Sequence, residues 1–227
     1  MGSNVAERLS SAGTSALSDA LDRLGIAGQA LGILPMARGT AFAGPAFTIK
    51  MIPVGMAGGN VGDYIDDVSE GDVVVLDNDG RLDATVWGNI LTTVAHHKKV
   101  AATVIDGVCR DSALCVELNY PVFARGNTMR TGKDRVTLDA VNVPVQLSGV
   151  RVEPGDWLAG DDDGVVCIPA SALKQVLRIV EEIERKEALI LDRWRGGARL
   201  DEARRAIGYH ELQRREATPL SSPETGA

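Results

Sequence analysis

Three short apolar runs limit what this chain can fold into. They are the V-V-V-L of D-V-V-V-L-D after Gly71, the run Val100 to Ile105, and the run Pro121 to Ala124. Each is continuous rather than alternating, so each reads as a strand buried on both faces. Helical spacing fills the gaps. Gly88 to His97 puts Ile90, Leu91, Val94 and Ala95 on one inner face. Asp111 to Leu118 follows as a short helix with Asp111 at or near its N-cap. Strands mixed with helices in this way predict an α/β fold with parallel or sandwiched sheet.

The flanks extend that pattern. Ser10 to Leu24 reads as a helix with Leu17, Leu21 and Leu24 on one side. Phe42 to Ile52 reads as a strand stopped by Pro53, and Asn60 to Val68 as a short acidic helix. D-N-D-G at 77–80 is a hairpin or turn signal. Gly126 to Thr137 is polar and looped, and Val143 to Leu147 and Val150 to Ala159 alternate like paired strands. Ala170 to Trp194 is a long helix whose stripe runs Leu173, Leu177, Val180. Continued, that spacing lands on Glu184, Glu187 and Leu191, so two glutamates share the phase of the core face. A charged helix ends near Tyr209. Residues 1–209 therefore read as one domain, with 210–227 as a disordered tail.

Composition excludes several functions. With 24 Lys and Arg against 31 Asp and Glu, the net charge is −7, opposite to the basic footprint of a nucleic-acid binder. Aromatics at 4% leave little to stack on single-stranded bases. Cys109, Cys115 and Cys167 have no finger spacing and read as reduced, buried thiols. No apolar stretch nears the ~18 residues of a membrane helix, and the first residues lack a signal core, so a cytoplasmic protein without membrane contact is expected.

Several stretches compete for the chemistry. G-N-T-M-R-T-G-K-D at 126–134 has five residues between its glycines and Asp134 in place of the metal-binding hydroxyl, so it reads as a solvent loop, not a phosphate loop. G-M-A-G-G-N at 55–60 reads equally as a mobile loop or as a flap lending amides to a ligand. His96-His97-Lys98-Lys99 reads as the cationic last turn of a helix. Asp161-Asp162-Asp163-Gly164 lacks the spaced ligands of a calcium loop and reads as a hairpin turn.

The stretch from Trp87 to Asp111 carries more. The glycine turn at Gly88 opens a helix whose free N–H groups can meet an anion. The strand after it ends on Asp-Gly and then Arg110-Asp111, which brings a guanidinium fork and a carboxylate to one spot. This combination suits a small carboxylic acid, with Asp111 available to a hard cation such as Mg²⁺. The plain alternative is an N-cap Asp beside a surface Arg.

Four ordered blocks then resemble one family: W-G-N-I-L-T-T-V-A, V-I-D-G-V-C-R-D, P-V-F-A-R-G and G-D-W-L-A-G-D-D-D-G-V-V-C-I-P. They resemble the class II, metal-dependent 4-hydroxy-4-methyl-2-oxoglutarate / 4-carboxy-4-hydroxy-2-oxoadipate aldolases. That family also contains oxaloacetate decarboxylases and non-catalytic regulators of ribonuclease E activity. The resemblance spans about Ala16 to Leu191. It implies a compact α/β sandwich related to swivelling phosphohistidine-type domains, with a long C-terminal helix. It also implies trimers or hexamers with active sites at subunit interfaces.

The implied function is a divalent-metal-dependent carbon–carbon lyase, using Mg²⁺, Mn²⁺ or another divalent ion. It would act on a small 2-oxo acid by aldol cleavage to pyruvate, by oxaloacetate decarboxylation, or both, through a metal-stabilised enolate. By resemblance, Arg110 contacts the pyruvyl portion and Asp111 is the metal ligand. Gly88, Asn89, Ile90 and Leu91 form the loop whose amides hold the carboxylate. Glu187, with Glu184 second, matches the glutamate that the C-terminal helices, 170–209, give to a neighbouring subunit. Two positions depart from the pattern. Asn89 stands where an acidic residue is usual, and Leu114 stands one helical turn from Asp111 where another is common. The rival reading is a non-catalytic regulatory binding protein, or a member recruited to different chemistry.

Overall fold

The computed structural model describes residues 2–55, 61 and 63–209. Most of the 55–60 loop and the 210–227 tail lie outside the described residues. The chain starts in α1 (Gly2–Leu24), touches the sheet at β1 (Leu34–Pro35) and enters it at β2 (Phe42–Pro53). A 3-10 turn (Tyr64–Asp67) stands where a longer acidic helix was expected. The three apolar runs become β3 (Val73–Thr85), β4 (Ala102–Cys109) and β5 (Val122–Asn127), with α2 (Asn89–His97) and α3 (Ser112–Glu117) between them. Strand β6 (Val136–Val141), the hairpin β7–β8 (Val145–Leu147, Val150–Val152) and the hairpin β9–β10 (Trp157–Asp161, Gly164–Ile168) follow. Helices α4 (Leu173–Arg195) and α5 (Leu200–Ile207) end the described chain.

The architecture is the expected mixed α/β. Strands β2 to β5 pair in parallel, and β9, β10, β6 and β1 add antiparallel partners in the order β1-β5-β4-β3-β2-β9-β10 with β6 also on β2. A bridge from Gln29 to Val166 brings the segment leading into β1 against β10, so the two ends of the sheet approach each other. Period-two alternation sorts the side chains. Val73 and Val75 face an inner core with Phe42, Phe123 and Leu158, whereas Val74 and Leu76 face an outer core with Trp87, Ala95 and Cys115. Burial on both faces explains why these runs are continuous. A third core joins α1 and α4 to β9 and β10 through Leu17, Leu21, Val166, Ile168 and Val176.

Two local expectations change. D-N-D-G at 77–80 is not a hairpin. It is an excursion within β3: Asp77 pairs with Asp106 and Arg81 with Gly107, while Asp79 and Gly80 take left-handed φ of 54° and 63°. The parallel partner β4 keeps the strand going. Buried Asp77 accepts from Lys50 and from the Gln146 amide, and buried Asp106 accepts from Arg125 and the Ser148 amide, so both fasten the β7–β8 region onto the sheet.

Helix α1 begins eight residues earlier than expected and is broken at Gly13 (φ 77°, ψ 155°). Asp161, from the β9–β10 turn predicted at D-D-D-G, fixes the break. Its carboxylate accepts the Thr14 amide at 2.7 Å and the Thr14 hydroxyl at 2.6 Å, capping the restarted helix from another element. Asp161→Ala should therefore cost about 1–2 kcal/mol. A lower urea midpoint with an unchanged m-value would show it; an unchanged midpoint would contradict it.

Candidate active site

Strand β4 delivers Arg110 and Asp111 to the start of α2. The Arg110 amide donates to the Trp87 carbonyl at 3.0 Å, which ties the end of β4 to the residue before Gly88. Trp87 is buried, stacks on Tyr120, and donates its indole N–H to the Thr92 hydroxyl at 2.9 Å. That bond buries Thr92 on the inner face of α2 beside Ala95, with Leu91 and Val94 partly covered. Ile90, expected inside, is 75% exposed, because the first turn of α2 faces the cavity rather than the core.

Asp111 sits at the N-cap position of α3 in a left-handed conformation (φ 58°, ψ 34°), which Asp tolerates better than most residues. Its carboxylate makes no bond to its own helix. Instead Oδ2 accepts the Asn89 amide at 3.0 Å, so Asp111 caps α2. The Asn89 side chain in turn accepts the Ile90 amide at 2.8 Å. Two of the four residues expected to offer amides to a ligand carboxylate thus already hold oxygen acceptors, one of them a carboxylate. The seat is chemically what an anion requires.

Arg110 Nε lies 3.6 Å from Asp111 Oδ2, with 41% and 40% of the two side chains exposed. Gly88 makes this approach possible. A Cβ there would fall 2.9 Å from Asp111 Oδ2 and 3.1 Å from Arg110 Nε. The Gly88 backbone is extended at φ −162°, so the constraint is space, not conformation. Gly88→Ala should lower kcat/KM about 10- to 100-fold by displacing both side chains, with the fold retained on circular dichroism. Wild-type kinetics in that variant would remove the steric argument.

Arg110 separates two cavities. One, about 220 Å³, is lined by Val61, Asp63, Trp87, Asn89, Ile90, Leu91, Thr131 and Gly132 among others. The other, about 480 Å³ and more open, holds Asp111, Ser112, Asn127, Thr128 and Met129. Sequence spacing did not point to Asp63, Thr131 or Gly132. The latter two reach the site because Thr131 bridges to Thr85 and Gly132 packs on the Thr85 carbonyl, where a Cβ would lie 2.1 Å away. Residues 126–134 are therefore cavity wall. Gly126 lies within β5, and β6, not a helix, follows Asp134.

The two departures are neighbours. Asn89 and Leu114 line the same shallow groove with Ile90, Thr93 and Val94. The missing acidic residues would have stood together beside Asp111.

Glutamates 184 and 187 separate. The buried stripe of α4 is Val176, Ile179, Val180, Ile183 and Ile190, offset from the expected Leu173 and Leu177, which are only partly covered. Glu184 falls beside that stripe and forms a fork with Arg8 at 2.6 and 3.1 Å inside the same chain. Glu187 stays in phase with Ile183 and Ile190, yet is exposed and lines neither Arg110 cavity.

The remaining candidates are structural. Lys98 donates to the Asp66 carbonyl and Lys99 pairs with Glu70 at the exit of α2. Among the described residues no three His, Cys, Asp or Glu side chains cluster as a metal site. Cys109, Cys115 and Cys167 are buried and free; burial raises all three thiols, Cys109 and Cys167 to about 12, so they are poor nucleophiles. No helix of the described residues is long and apolar enough to cross a membrane.

A sheet with this order, carrying an Arg-Asp pair under a helix start, defines a class found in known proteins. Residues 14–167 match the family described as "RraA-like: Aldolase/RraA", and the chain belongs to that family. It is similar to protein DlpA of Legionella pneumophila, 37% identical over 92% of this chain, but it spans only 34% of that protein. It is also similar to a Halalkalibacterium halodurans protein named "Putative 4-hydroxy-4-methyl-2-oxoglutarate aldolase", 33% identical over 73% of this chain and 76% of the relative. Among solved structures, a Pseudomonas syringae pv. tomato protein superposes with TM-score 0.82 at 38% identity, covering 90% of this chain and 98% of that one. Streptomyces coelicolor RraAS2, described as an unusual member of the RNase ES inhibitor RraA family, superposes with TM-score 0.76 at 27% identity over 82% and 94% of the two chains.

Proposed function

We propose that this protein is a divalent-metal-dependent lyase that breaks a carbon–carbon bond of a small 2-oxo acid and releases pyruvate. The observation that carries the reading is the arrangement at Gly88. There an Arg fork, a carboxylate and a helix start meet within 3.6 Å, and the one side chain that would obstruct them is missing.

The donor set fits a hard ion. Asp111 Oδ2 is engaged by Asn89, while its other oxygen has no hydrogen-bond partner among the described residues. A single carboxylate suits Mg²⁺ or Mn²⁺, which keep waters and substrate oxygens as further ligands, and does not suit a structural zinc site. When bound, the ion supplies Lewis-acid polarisation of the 2-oxo group. Arg110 grips the substrate carboxylate bidentately, and the α2 amides and helix dipole add to that hold. As the C3–C4 bond breaks, the C4 hydroxyl gives up its proton and the electron pair passes to the pyruvate enolate. Arg110 stands where that negative charge develops. The enolate then takes a proton at C3. Decarboxylation of oxaloacetate yields the same enolate, so one site serves both reactions.

Glu187 is the candidate for a carboxylate given to a neighbouring subunit in a trimer or hexamer. Support comes from the exposed Leu189, Leu191 and Trp194 around it on α4, an apolar surface suited to a subunit contact. Reduced, buried thiols fit a cytoplasmic setting.

The test is pyruvate release from 2-oxo acids with Mg²⁺ or Mn²⁺, followed through coupled reduction and repeated with chelator. Chelator-sensitive release above the protein-free rate supports the lyase. A second reading rests on Asn89 and Leu114 side by side: a non-catalytic binding protein. Absence of release with either metal, from a folded protein, favours it.

A further inference from the structure

The cavity beside Arg110 has two electrical ends. Its volume, about 220 Å³, is room for about seven waters at ~30 Å³ each, so it suits a small molecule. The charged residues of its lining are Arg110 and Asp63, and between them stand the apolar Val61, Trp87, Ile90 and Leu91. Asp63 is well fixed. It leads the 3-10 turn whose next residues, Tyr64 and Ile65, are 3% and 8% exposed in the outer core. Asp63 occupies the N-cap position of that turn, but its side chain makes no capping bond. Its carboxylate has no hydrogen-bond or ion-pair partner among the described residues, unlike Asp77, Asp106, Asp156 and Asp161, which are all engaged. The single cation of the cavity is thus left for a ligand carboxylate, and a free anion faces whatever the ligand carries elsewhere.

We propose that Asp63 sets substrate selectivity: the site takes a 2-oxo acid with one carboxylate and an uncharged, hydroxyl-bearing or cationic far end, and turns away a second carboxylate. The inference rests on the lyase reading, in which Arg110 holds the first carboxylate. A second carboxylate in the same small cavity would meet Asp63 with nothing left to neutralise it, a like-charge contact of the kind that excludes wrong ligands. A hydroxyl or ammonium would instead donate to it. The cleavage products would then be pyruvate and a neutral or hydroxylated aldehyde, not pyruvate and a second acid.

The experiment compares the full-length protein, with Mg²⁺, on monoanionic 4-hydroxy-2-oxopentanoate and dianionic 4-hydroxy-4-methyl-2-oxoglutarate. Wild type is set beside Asp63→Asn and Asp63→Lys. Calorimetric binding of pyruvate and of 2-oxoglutarate, neither of which is cleaved, is measured in parallel. Wild type should favour the monoanion at least about tenfold. Asp63→Asn should bring the two within about threefold, and Asp63→Lys should reverse them, with pyruvate affinity unchanged. Raising the salt should shrink the wild-type preference. Turnover with the same ratio in all three proteins overturns the role of Asp63 and leaves the lyase standing. Selective binding that follows residue 63 without any turnover keeps the selectivity and overturns the lyase. A wild type that neither binds nor cleaves either class overturns both.

Discussion

Asp111→Ala should abolish metal-dependent turnover while leaving the protein folded. The carboxylate has two duties. One oxygen accepts the Asn89 amide at the start of α2, and the other is free for an ion. Loss of the cap costs about 1 kcal/mol, a Tm shift of about 2–4 °C for a chain of this size. Helix α2 survives it, because Thr92 and Ala95 remain buried and the Trp87–Thr92 bond does not involve Asp111. Loss of the ion removes several kcal/mol of transition-state stabilisation, so kcat/KM should fall about 10³-fold or more. The two effects separate cleanly by thermal unfolding and steady-state kinetics. A folded Asp111→Ala protein that kept its chelator-sensitive activity would sink the assignment.

Arg110→Ala should raise KM and lower kcat together, by about 10²- to 10³-fold in kcat/KM. The guanidinium meets both the substrate carboxylate and the charge of the enolate, so it acts in the ground state and in the transition state. Arg110→Lys should recover only part of the loss, since an ammonium keeps the charge but not the planar fork. A change in KM alone would mean that Arg110 binds without assisting the bond cleavage. Stability should move little, because the tie from residue 110 to Trp87 is made by its backbone amide.

Much of this was legible in the residues themselves. Continuous V-V-V-L and Val100 to Ile105 could only be strands covered on both sides, and they became β3 and β4 at the centre of the sheet. Gly88 as a helix start and the joining of Arg110 to Asp111 at one spot also followed from local chemistry. What stayed hidden was decided by distant partners. D-N-D-G carries turn chemistry, yet pairing with β4 holds it inside a strand. Asp111 reads as the cap of the helix that follows it, but its left-handed backbone turns the carboxylate to the helix before it. The α4 stripe is offset because α1, broken at Gly13, decides which side is covered, and Arg8 claims Glu184. Asp63 and Thr131 enter the cavity through the 3-10 turn and a single bridge, and neither leaves a periodic mark in the sequence.

The central claim is that Asp111 and Arg110 build one site, in which an ion and a carboxylate are held together. The most direct measurement is a Mn²⁺ titration followed by electron paramagnetic resonance, with and without pyruvate, in wild type, Asp111→Asn and Arg110→Ala. Wild type should bind Mn²⁺, and pyruvate should tighten it, with Mn²⁺ tightening pyruvate by the same factor. Asp111→Asn should lose the ion. Arg110→Ala should keep the ion and lose the coupling. Mn²⁺ binding that is identical in Asp111→Asn, or that takes no notice of pyruvate in wild type, would contradict the account.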